Sequence, residues 1–389
     1  MSSEPRYAIR VLEAVAEVPA AAWDGLAGPN PFVAHAFLGA LEESGSVGAK
    51  AGWRPRHLVL EGPDGVEGAA PCYLKSHSYG EYVFDHAWAH AYERAGGDYY
   101  PKLQISVPFT PVTGPRLLVR PGPQAEARRR MLALGAVEVA RRLEASSVHV
   151  TFPTEDEWRA LGALGYLQRT DRQFHWTNAG YGSFDDFLAA LASRKRKAVK
   201  RERREALDGG VSVQWITGRD IAERHWDAFF AFYMDTGSRK WGRPYLNRRF
   251  FSLLGERMAE RVLLVFALRG GRPIAGALNI VGPDTLYGRY WGCVEDRPFL
   301  HFEVCYYQAI EFAISRGLAR VEAGAQGEHK LARGYLPATT YSAHWLADPR
   351  LARAVSDYLE REREAVAFEQ AELGEHAPYR RGAPAEEEV

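Results

Sequence analysis

Side chains suited to proton transfer and anion binding cluster between residues 301 and 333. His301 and Glu303 open an apolar segment, His301–Ile314, whose composition predicts a helix buried in a large core. An imidazole or carboxylate at such a helix start can act as a general base if it faces a cleft. Both residues also fit a structural role, with Glu303 stabilised by the helix dipole and His301 satisfied by hydrogen bonds.

A polar loop, Gln326–Tyr335, follows the next predicted strand, Leu318–Ala325. Ligands of α/β proteins usually bind beyond strand ends, so the loop predicts a site rather than a simple turn. In a parallel crossover the helix start and this loop lie on the same side of the sheet, which predicts one shared cleft. The predicted proton-transfer residues are His301, Glu303, Glu328 and His329. The predicted binding residues are Lys330, Arg333, Glu322, Tyr290 and Trp291, of which Lys330 and Arg333 suit phosphate or carboxylate.

A basic segment precedes this region. Residues Arg194–Arg204 contain eight lysines and arginines in eleven positions, and flanking apolar residues predict an amphipathic helix, Phe184–Leu207, with a basic outer face. Such a face predicts binding of polyphosphate or RNA, although a solvated surface helix has the same pattern. The predicted polyanion-binding residues are Arg194, Lys197, Lys200, Arg201 and Arg204.

Polar and aromatic residues alternate over His77–Arg94. The alternation predicts a strand that lines a polar groove, or else a two-sided edge strand. The candidate binding residues in and after this stretch are Tyr79, Glu81, Asp85 and Lys102.

Composition restricts the class of protein. Lys+Arg and Asp+Glu each number 49, so no overall field points to nucleic acid or membrane. The three cysteines are far apart without a CxxC pair, and the His and Glu spacings match no metal motif, so neither disulfides nor a metal are expected. No long apolar segment or signal-like start is visible, which predicts a cytoplasmic protein without membrane insertion.

Two similar hairpins predict an internal duplication. The segments HLVLEGPDGVEGAAPCYLK and LLVFALRGGRPIAGALNIV both read as strand, tight turn, strand, with Gly-Ala in the second strand. The length of 389 residues also favours two domains. The predicted division is residues 1–180, residues 181–377 and a disordered acidic tail, residues 378–389.

Over Pro31–Glu369 the sequence resembles the FemAB-like N-acyltransferases, a peptidoglycan-related family with a two-unit GNAT fold. The segments that carry the resemblance include NPFVAHAFLGALEESGSVG, SYGEYVFD, LHFEVCYYQAIEFAISRGL and EAGAQGEHKLARGYLP. The segment SRKRKAVKRERREALDGGVSV is similar to the helix that opens the second unit of the aminoacyl-tRNA-dependent Fem ligases. Lys330, before Arg333-Gly334-Tyr335, matches the position of their lysine-containing loop.

The resemblance implies an α/β fold of two GNAT-like units, each a mixed, mainly antiparallel sheet flanked by helices. One departure concerns the donor: where acyl-CoA-dependent GNAT enzymes carry a glycine-rich pyrophosphate loop, this chain reads Val294–Leu300, without those glycines and with Pro298. Acyl-CoA is therefore less favoured as donor than aminoacyl-tRNA or an acyl carrier protein.

The sequence thus predicts an N-acyltransferase that moves an acyl or aminoacyl group from an activated ester or thioester to a small-molecule or peptide amine. Backbone N–H groups near Tyr290–Gly292 would stabilise the tetrahedral oxyanion. The alternative is a non-catalytic protein that keeps the fold and recognises a peptidoglycan precursor or RNA. The oligomeric state does not follow from the sequence.

Overall fold

A computed structural model describes residues 7–240, 244–324 and 327–380. The chain forms two compact units. Unit 1 comprises the chain up to Asp171 together with Thr339–Ala367, and unit 2 comprises Arg172–Ala338 and the chain from Phe368 onward. The sequence predicts a single division near residue 180; instead, a late segment of the chain returns to unit 1.

The described strands are β1 (Ala8–Leu12), β2 (Trp53–Pro55), β3 (His57–Gly62), β4 (Gly65–Ala70), β5 (Cys72–Lys75), β6 (Lys102–Ile105), β7 (Leu118–Val119), β8 (Ser147–Thr151), β9 (Leu167–Thr177), β10 (Val211–Thr217), β11 (Val262–Arg269), β12 (Arg272–Val281), β13 (Thr285–Cys293), β14 (Arg320–Glu322) and β15 (Leu336–Leu346). The described α-helices are α1 (Ala20–Ala27), α2 (His35–Glu43), α3 (His86–Arg94), α4 (Ala125–Arg142), α5 (Glu155–Ala163), α6 (Phe184–Ala190), α7 (Ser193–Ala206), α8 (Glu223–Lys240), α9 (Arg248–Met258), α10 (Leu300–Phe302), α11 (Gln308–Ser315) and α12 (Pro349–Glu375).

Unit 1 contains two groups of paired strands. One is antiparallel in the order β1-β3-β4-β7; in the other, β2, β5 and β6 pair in turn, β6 runs parallel to β8, and β8 pairs with β15. Helix α4 begins after a Pro-Gly-Pro segment and buries one face of small and aliphatic residues against these strands. Helix α5 starts with the predicted capping box, in which the Thr154 hydroxyl accepts from the Glu157 N–H at 3.3 Å.

Unit 2 is built around a sheet in which β10, β11, β12 and β13 pair antiparallel in turn. Strand β13 then runs parallel to β14, and β14 pairs antiparallel with the end of β9. Strand β11 is apolar on both faces because helices cover both sides of the sheet, and α11 packs into the core beside it. These mixed, mainly antiparallel sheets confirm the predicted α/β fold class.

The two predicted hairpins are both present. Strands β3 and β4 turn through Gly62–Gly65, and β11 and β12 turn through Arg269–Arg272. Each pair also carries a register shift one or two residues before the turn. The similarity noticed in the sequence therefore corresponds to a shared local structure.

Several predicted elements differ from the structure. The stretch predicted as a strand, His77–Arg94, is a loop followed by helix α3, because Trp88 and Tyr92, four residues apart, pack together with Ala89 in one core cluster of unit 1. The helix predicted over Phe184–Leu207 is broken at Leu191, whose extended backbone separates α6 from α7. After Leu346, where no element was predicted, the structure has the long helix α12.

The first residues of the predicted disordered tail are anchored. The Pro378 carbonyl accepts from the Ala192 N–H at 2.9 Å, and the Tyr379 hydroxyl donates to the Gly334 carbonyl at 2.6 Å. Residues 381–389 lie outside the described part of the chain.

Candidate functional site

The sheet of unit 2 opens between its two parallel strands. Strands β13 and β14 stay in register from Thr285↔Arg320 to Tyr287↔Glu322, where β14 ends. Strand β13 continues to Cys293, and a register shift between the Asn279↔Gly288 and Leu278↔Tyr290 pairs places a bulge at Arg289. A bulge bends a strand and re-aims its side chains. The last residues of β13 therefore form a sheet edge that β14 does not cover.

The helix that follows β13 is irregular where it passes this opening. A turn of α-helix, α10, leads into a π-helical segment, Glu303–Tyr307, and then into α11. Phe299 precedes α10 with φ of 60°, which is strained for a residue with a side chain. Extra-residue π turns inside helices often lie at functional sites.

Glu303 does not face the opening. Its carboxylate is fully buried and accepts from Arg203 at 2.9 to 3.2 Å and from the Gln308 amide at 2.7 Å. Arg203 also pairs with Glu311 at 2.7 Å. This arrangement ties α7 to the π segment. Of the two roles considered for Glu303, the geometry supports the structural one and gives no support to a general base.

His301 lies at the opening. Its ring is half-buried and stands 5.2 Å from the Trp291 ring and 6.2 Å from the His329 ring. Nε2 of His329 is 2.9 Å from the Tyr306 hydroxyl. The structure therefore brings together one residue from the helix start, one from β13 and one from the loop. Tyr290 points elsewhere, with its ring packed 5.3 Å from that of Tyr233.

His301 and Trp291 line a pocket of about 310 Å³ at the end of β13. Its other lining residues are Thr236, Cys293, Glu295, Asp296, Arg297 and Leu300. The volume is at the lower end of the range for small-molecule sites. Trp291 and His301 were predicted from the sequence, whereas Thr236 was not, because no motif in α8 marks it.

The loop after β14 forms a short 3-10 helix, Glu328–Arg333. Lys330 is buried, its Nζ donates to the Gly324 carbonyl at 2.8 Å, and burial lowers its pKa to about 8. The side chain of Glu328 lies outside the described part of the chain, as does Gln326.

Arg333 is engaged within the protein. Its Nε and one terminal nitrogen bond Glu202 at 2.9 to 3.1 Å, and the other terminal nitrogen donates to the His329 carbonyl at 2.6 Å. The guanidinium also stacks 3.4 Å over the Phe302 ring. Arg333 thus fastens the 3-10 helix to α7, whereas the sequence suggested that it would hold a substrate anion.

Glu322 ends β14 at the point where the strands separate. It is buried, its Oε2 has no hydrogen-bond partner, and the nearest imidazole nitrogen, His175 Nε2, is 3.9 Å away. Burial raises the pKa of Glu322 to about 7 and lowers that of His175 to about 3. Glu322 is therefore a carboxyl group that changes charge near neutral pH, at the base of the opening.

The basic face of α7 is exposed as predicted. The residues predicted to bind polyanions are all exposed: Arg194, Lys197, Lys200, Arg201 and Arg204. The inner face carries Val199, Ala206 and the buried Glu202. A second pocket, of about 290 Å³, lies between α7 and the 3-10 helix and is lined by Arg194, Lys195, Glu202 and Arg333 among others.

The predicted binding residues of unit 1 form a buried charge network instead of an open groove. Lys102 Nζ donates to Glu81 at 2.7 Å, to Ser78 at 2.8 Å and to Asp85, while the Tyr99 hydroxyl donates to Asp85 at 2.7 Å. Burial opposes ionisation of Asp85, but Lys102 outweighs it and holds the Asp85 pKa below its usual range. Tyr79 is separate from this network, with 62% of its surface exposed.

Lys75, which was not predicted as a site residue, belongs to the same network. Its Nζ lies 3.3 Å from Glu81 and 3.6 Å from the centre of the Trp53 ring, and burial lowers its pKa to about 7. The only signal in the sequence is a charged residue at the end of an apolar strand.

Within the described residues, no group of three or more His, Cys, Asp or Glu is arranged to hold a metal ion. Among the helices of the described part, none is long and apolar enough to cross a membrane.

The site therefore combines a sheet that opens between two parallel strands, a bulged strand and an irregular helix at the opening. The sequence matches the FemAB-like family, described as peptidoglycan biosynthesis/recognition, over residues 14–381. The chain belongs to this family, which confirms the predicted resemblance. A comparison with curated proteins finds no significant match.

Solved structures share the fold. FemX superposes with a TM-score of 0.51 at 13% identity, covering 79% of this chain and 92% of FemX. L-PGS from Bacillus licheniformis gives 0.51 at 9% identity, covering 85% of this chain and 97% of that one. The C-terminal domain of a putative lysylphosphatidylglycerol synthetase from Agrobacterium fabrum gives 0.52 at 9% identity, covering 90% and 97%. At these identities the likeness concerns the fold.

Proposed function

We propose that this protein is an N-acyltransferase that moves an acyl or aminoacyl group from an activated ester or thioester to an amine. The observation that carries the proposal is the opening beyond the Tyr287↔Glu322 pair, with a pocket and a histidine beside it. Membership of a family described by peptidoglycan biosynthesis and recognition supports it, as does the fold shared with FemX.

The uncovered edge of β13 is suited to the reaction. Along Tyr290–Gly292 one side of β13 pairs with β12, so the backbone N–H groups on the opposite, uncovered side can donate to the oxyanion that forms when an amine attacks a carbonyl. His301, at the rim of the pocket, takes the amine proton. The nitrogen–carbon bond forms, the bond to the leaving oxygen or sulfur breaks, and that atom receives the proton. Glu303 contributes by fixing α7 and the π segment.

The donor is inferred from charge. The exposed lysines and arginines of α7 suit a polyanion, and aminoacyl-tRNA combines a polyanion with an activated ester. The turn before α10 lacks the glycines that hold an acyl-CoA pyrophosphate, and carboxylates of Glu295 and Asp296 lie beside it. Aminoacyl-tRNA is therefore our preferred donor, with an acyl carrier protein and acyl-CoA as alternatives, and the reaction would take place in the cytoplasm.

A donor comparison tests the proposal. The purified protein is incubated with an amine mixture and, separately, with total aminoacyl-tRNA, acetyl-CoA or an acyl carrier protein, and new amides are detected by mass spectrometry. We expect an amide from aminoacyl-tRNA, and no amide when the tRNA is deacylated. Retention of tRNA without amide formation from any donor would refute the enzymatic function and favour a binding protein.

A further inference from the structure

The pocket at the end of β13 has an unusual combination of groups. Two buried polar atoms of its lining residues, Thr236 Oγ1 and Arg297 Nε, have no hydrogen-bond partner. Buried polar groups normally have partners, so each such atom in a native structure requires an explanation. Both can donate, which makes the oxygens of an anion or a carbonyl the natural ligand.

The acidic residues of the pocket restrict which anion fits. Glu295 is paired with Arg269 at 2.9 Å, whereas Asp296 is exposed at the rim. The lining carries two carboxylates, Glu295 and Asp296, and one guanidinium, Arg297. Because Arg269, outside the lining, pairs with Glu295, one negative and one positive group remain to meet a ligand. A phosphate dianion would meet the carboxylates of two neighbouring residues. A ligand with one negative and one positive group fits this pattern better.

The remaining walls are apolar or aromatic. Leu300 is buried, and Trp291 and His301 present their rings 5.2 Å apart. A ring face and an aliphatic side chain bind a small apolar group by burial and stacking. They place that group next to His301, where an amine proton can be accepted.

We infer that this pocket is the acceptor site and that its ligand is the zwitterion of an α-amino acid. The carboxylate accepts from Arg297 and Thr236, the ammonium group faces Asp296, and the side chain lies against Trp291 and Leu300. The inference rests on the proposed transfer reaction, for which it names the amine. The free carboxylate distinguishes this ligand from the donor, whose carboxyl group is esterified.

In the reaction, the ammonium first releases one proton to solvent, and the neutral amine attacks the donor carbonyl while His301 takes its second proton. The new amide bond forms as the ester carbon–oxygen bond breaks, and His301 passes the second proton to the leaving oxygen. No oxidant or reductant is required, and the product is an N-acylated or N-aminoacylated amino acid.

Calorimetric titration of the full chain tests the inference without a donor. The probes are glycine, L-alanine, L-leucine and L-phenylalanine, together with L-phenylalaninamide, N-acetyl-L-phenylalanine and inorganic phosphate. We expect binding of at least one free amino acid and about tenfold weaker binding when either charge is removed, because hydrogen bonds to charged groups are stronger than those between neutral groups. Phosphate should not compete.

Two variants assign the binding to this pocket. Thr236→Val keeps the shape and removes the hydroxyl, and Arg297→Met removes the guanidinium; we expect each to weaken binding of the amino acid about tenfold. Arg272→Met, an exposed arginine of β12, is the matched control and should bind normally. Arg297 also donates to the Asp208 carbonyl at 2.6 Å, so Arg297→Met could disturb the local structure. Thr236→Val leaves that hydrogen bond in place and therefore tests the pocket independently.

The outcomes separate this inference from the proposed function. If the protein binds an amino acid, Thr236→Val weakens that binding, and no donor supports transfer, the amino-acid site would be supported and the proposed enzymatic function refuted. If the protein transfers a group to an amine but binds no amino acid, only the acceptor assignment would be refuted. The same holds if transfer occurs and Thr236→Val and Arg297→Met bind the amino acid as the wild type does. Phosphate binding that displaces the amino acid would also overturn it.

Discussion

Replacing Glu303 should reduce stability and leave the chemistry unchanged. Its carboxylate is fully buried and accepts three bonds from Arg203, whose side chain is 21% exposed. Removing one member of a buried ion pair typically costs about 3–5 kcal/mol, because the remaining charge stays buried without its partner. Arg203 keeps its contact with Glu311 and some solvent, so we expect about 3 kcal/mol for Glu303→Gln.

Urea unfolding measures the effect as a lower midpoint at an unchanged m-value. Glu311→Gln is the matched control, because Glu311 is the other partner of Arg203. The Glu311 side chain is 40% exposed, so its replacement should cost less than about 1 kcal/mol. Arg203→Met combined with Glu303→Gln should recover part of the loss, since no unpaired charge remains. A Glu303→Gln protein as stable as the wild type but without transfer activity would refute this reasoning and restore Glu303 as the base.

Two further predictions concern charge. Burial raises the pKa of Glu322 to about 7, whereas the unfolded chain releases the same proton near pH 4.5. Between these pH values the folded state binds more protons than the unfolded state. The folded state therefore loses stability as the pH rises through this range, by up to about 3 kcal/mol. Glu322→Gln should remove this part of the pH dependence in urea unfolding between pH 5 and pH 8; an identical profile would contradict it. Replacing Lys197, Lys200 and Arg204 together by Glu should abolish tRNA retention in filter binding, and wild-type affinity should fall steeply with salt. Salt-independent binding would instead favour a merely solvated helix face.

The sequence predicted the parts of unit 2 that depend on local pattern. The hairpin β11–β12, the exposed basic face of α7 and the helix after β13 follow from periodicity and turn residues, all of which are local. His301 and His329 were also expected to approach each other, because a parallel crossover brings a helix start and a strand end to one side of the sheet.

The sequence could not predict which charged side chains pair inside the fold. Glu202 sits within a run of basic residues and was unremarkable there, yet it is buried against Arg333, far along the chain. Glu303 likewise pairs with Arg203, one hundred residues away. These pairs depend on tertiary packing, so the roles of Glu303 and Arg333 changed once their partners were known.

The network of unit 1 shows the same limit. The alternation of polar and aromatic residues over His77–Arg94 is compatible with a strand, but tertiary packing overrides it and forms a loop and α3. Glu81 and Asp85 then turn inward to Lys102. Helix α12 was passed over, although its length makes it one of the clearest elements of the structure.

The central claim is that an amide forms at the opening beside β13. The steady-state rate of amide formation by His301→Ala tests this claim most directly. Loss of a general base typically lowers turnover by about 10²–10⁴-fold. We therefore expect a turnover at least about 100-fold lower, with donor and acceptor affinities within about twofold of the wild type and full activity in the exposed control His90→Ala. Unchanged turnover in His301→Ala would contradict this account and place the chemistry elsewhere in the chain.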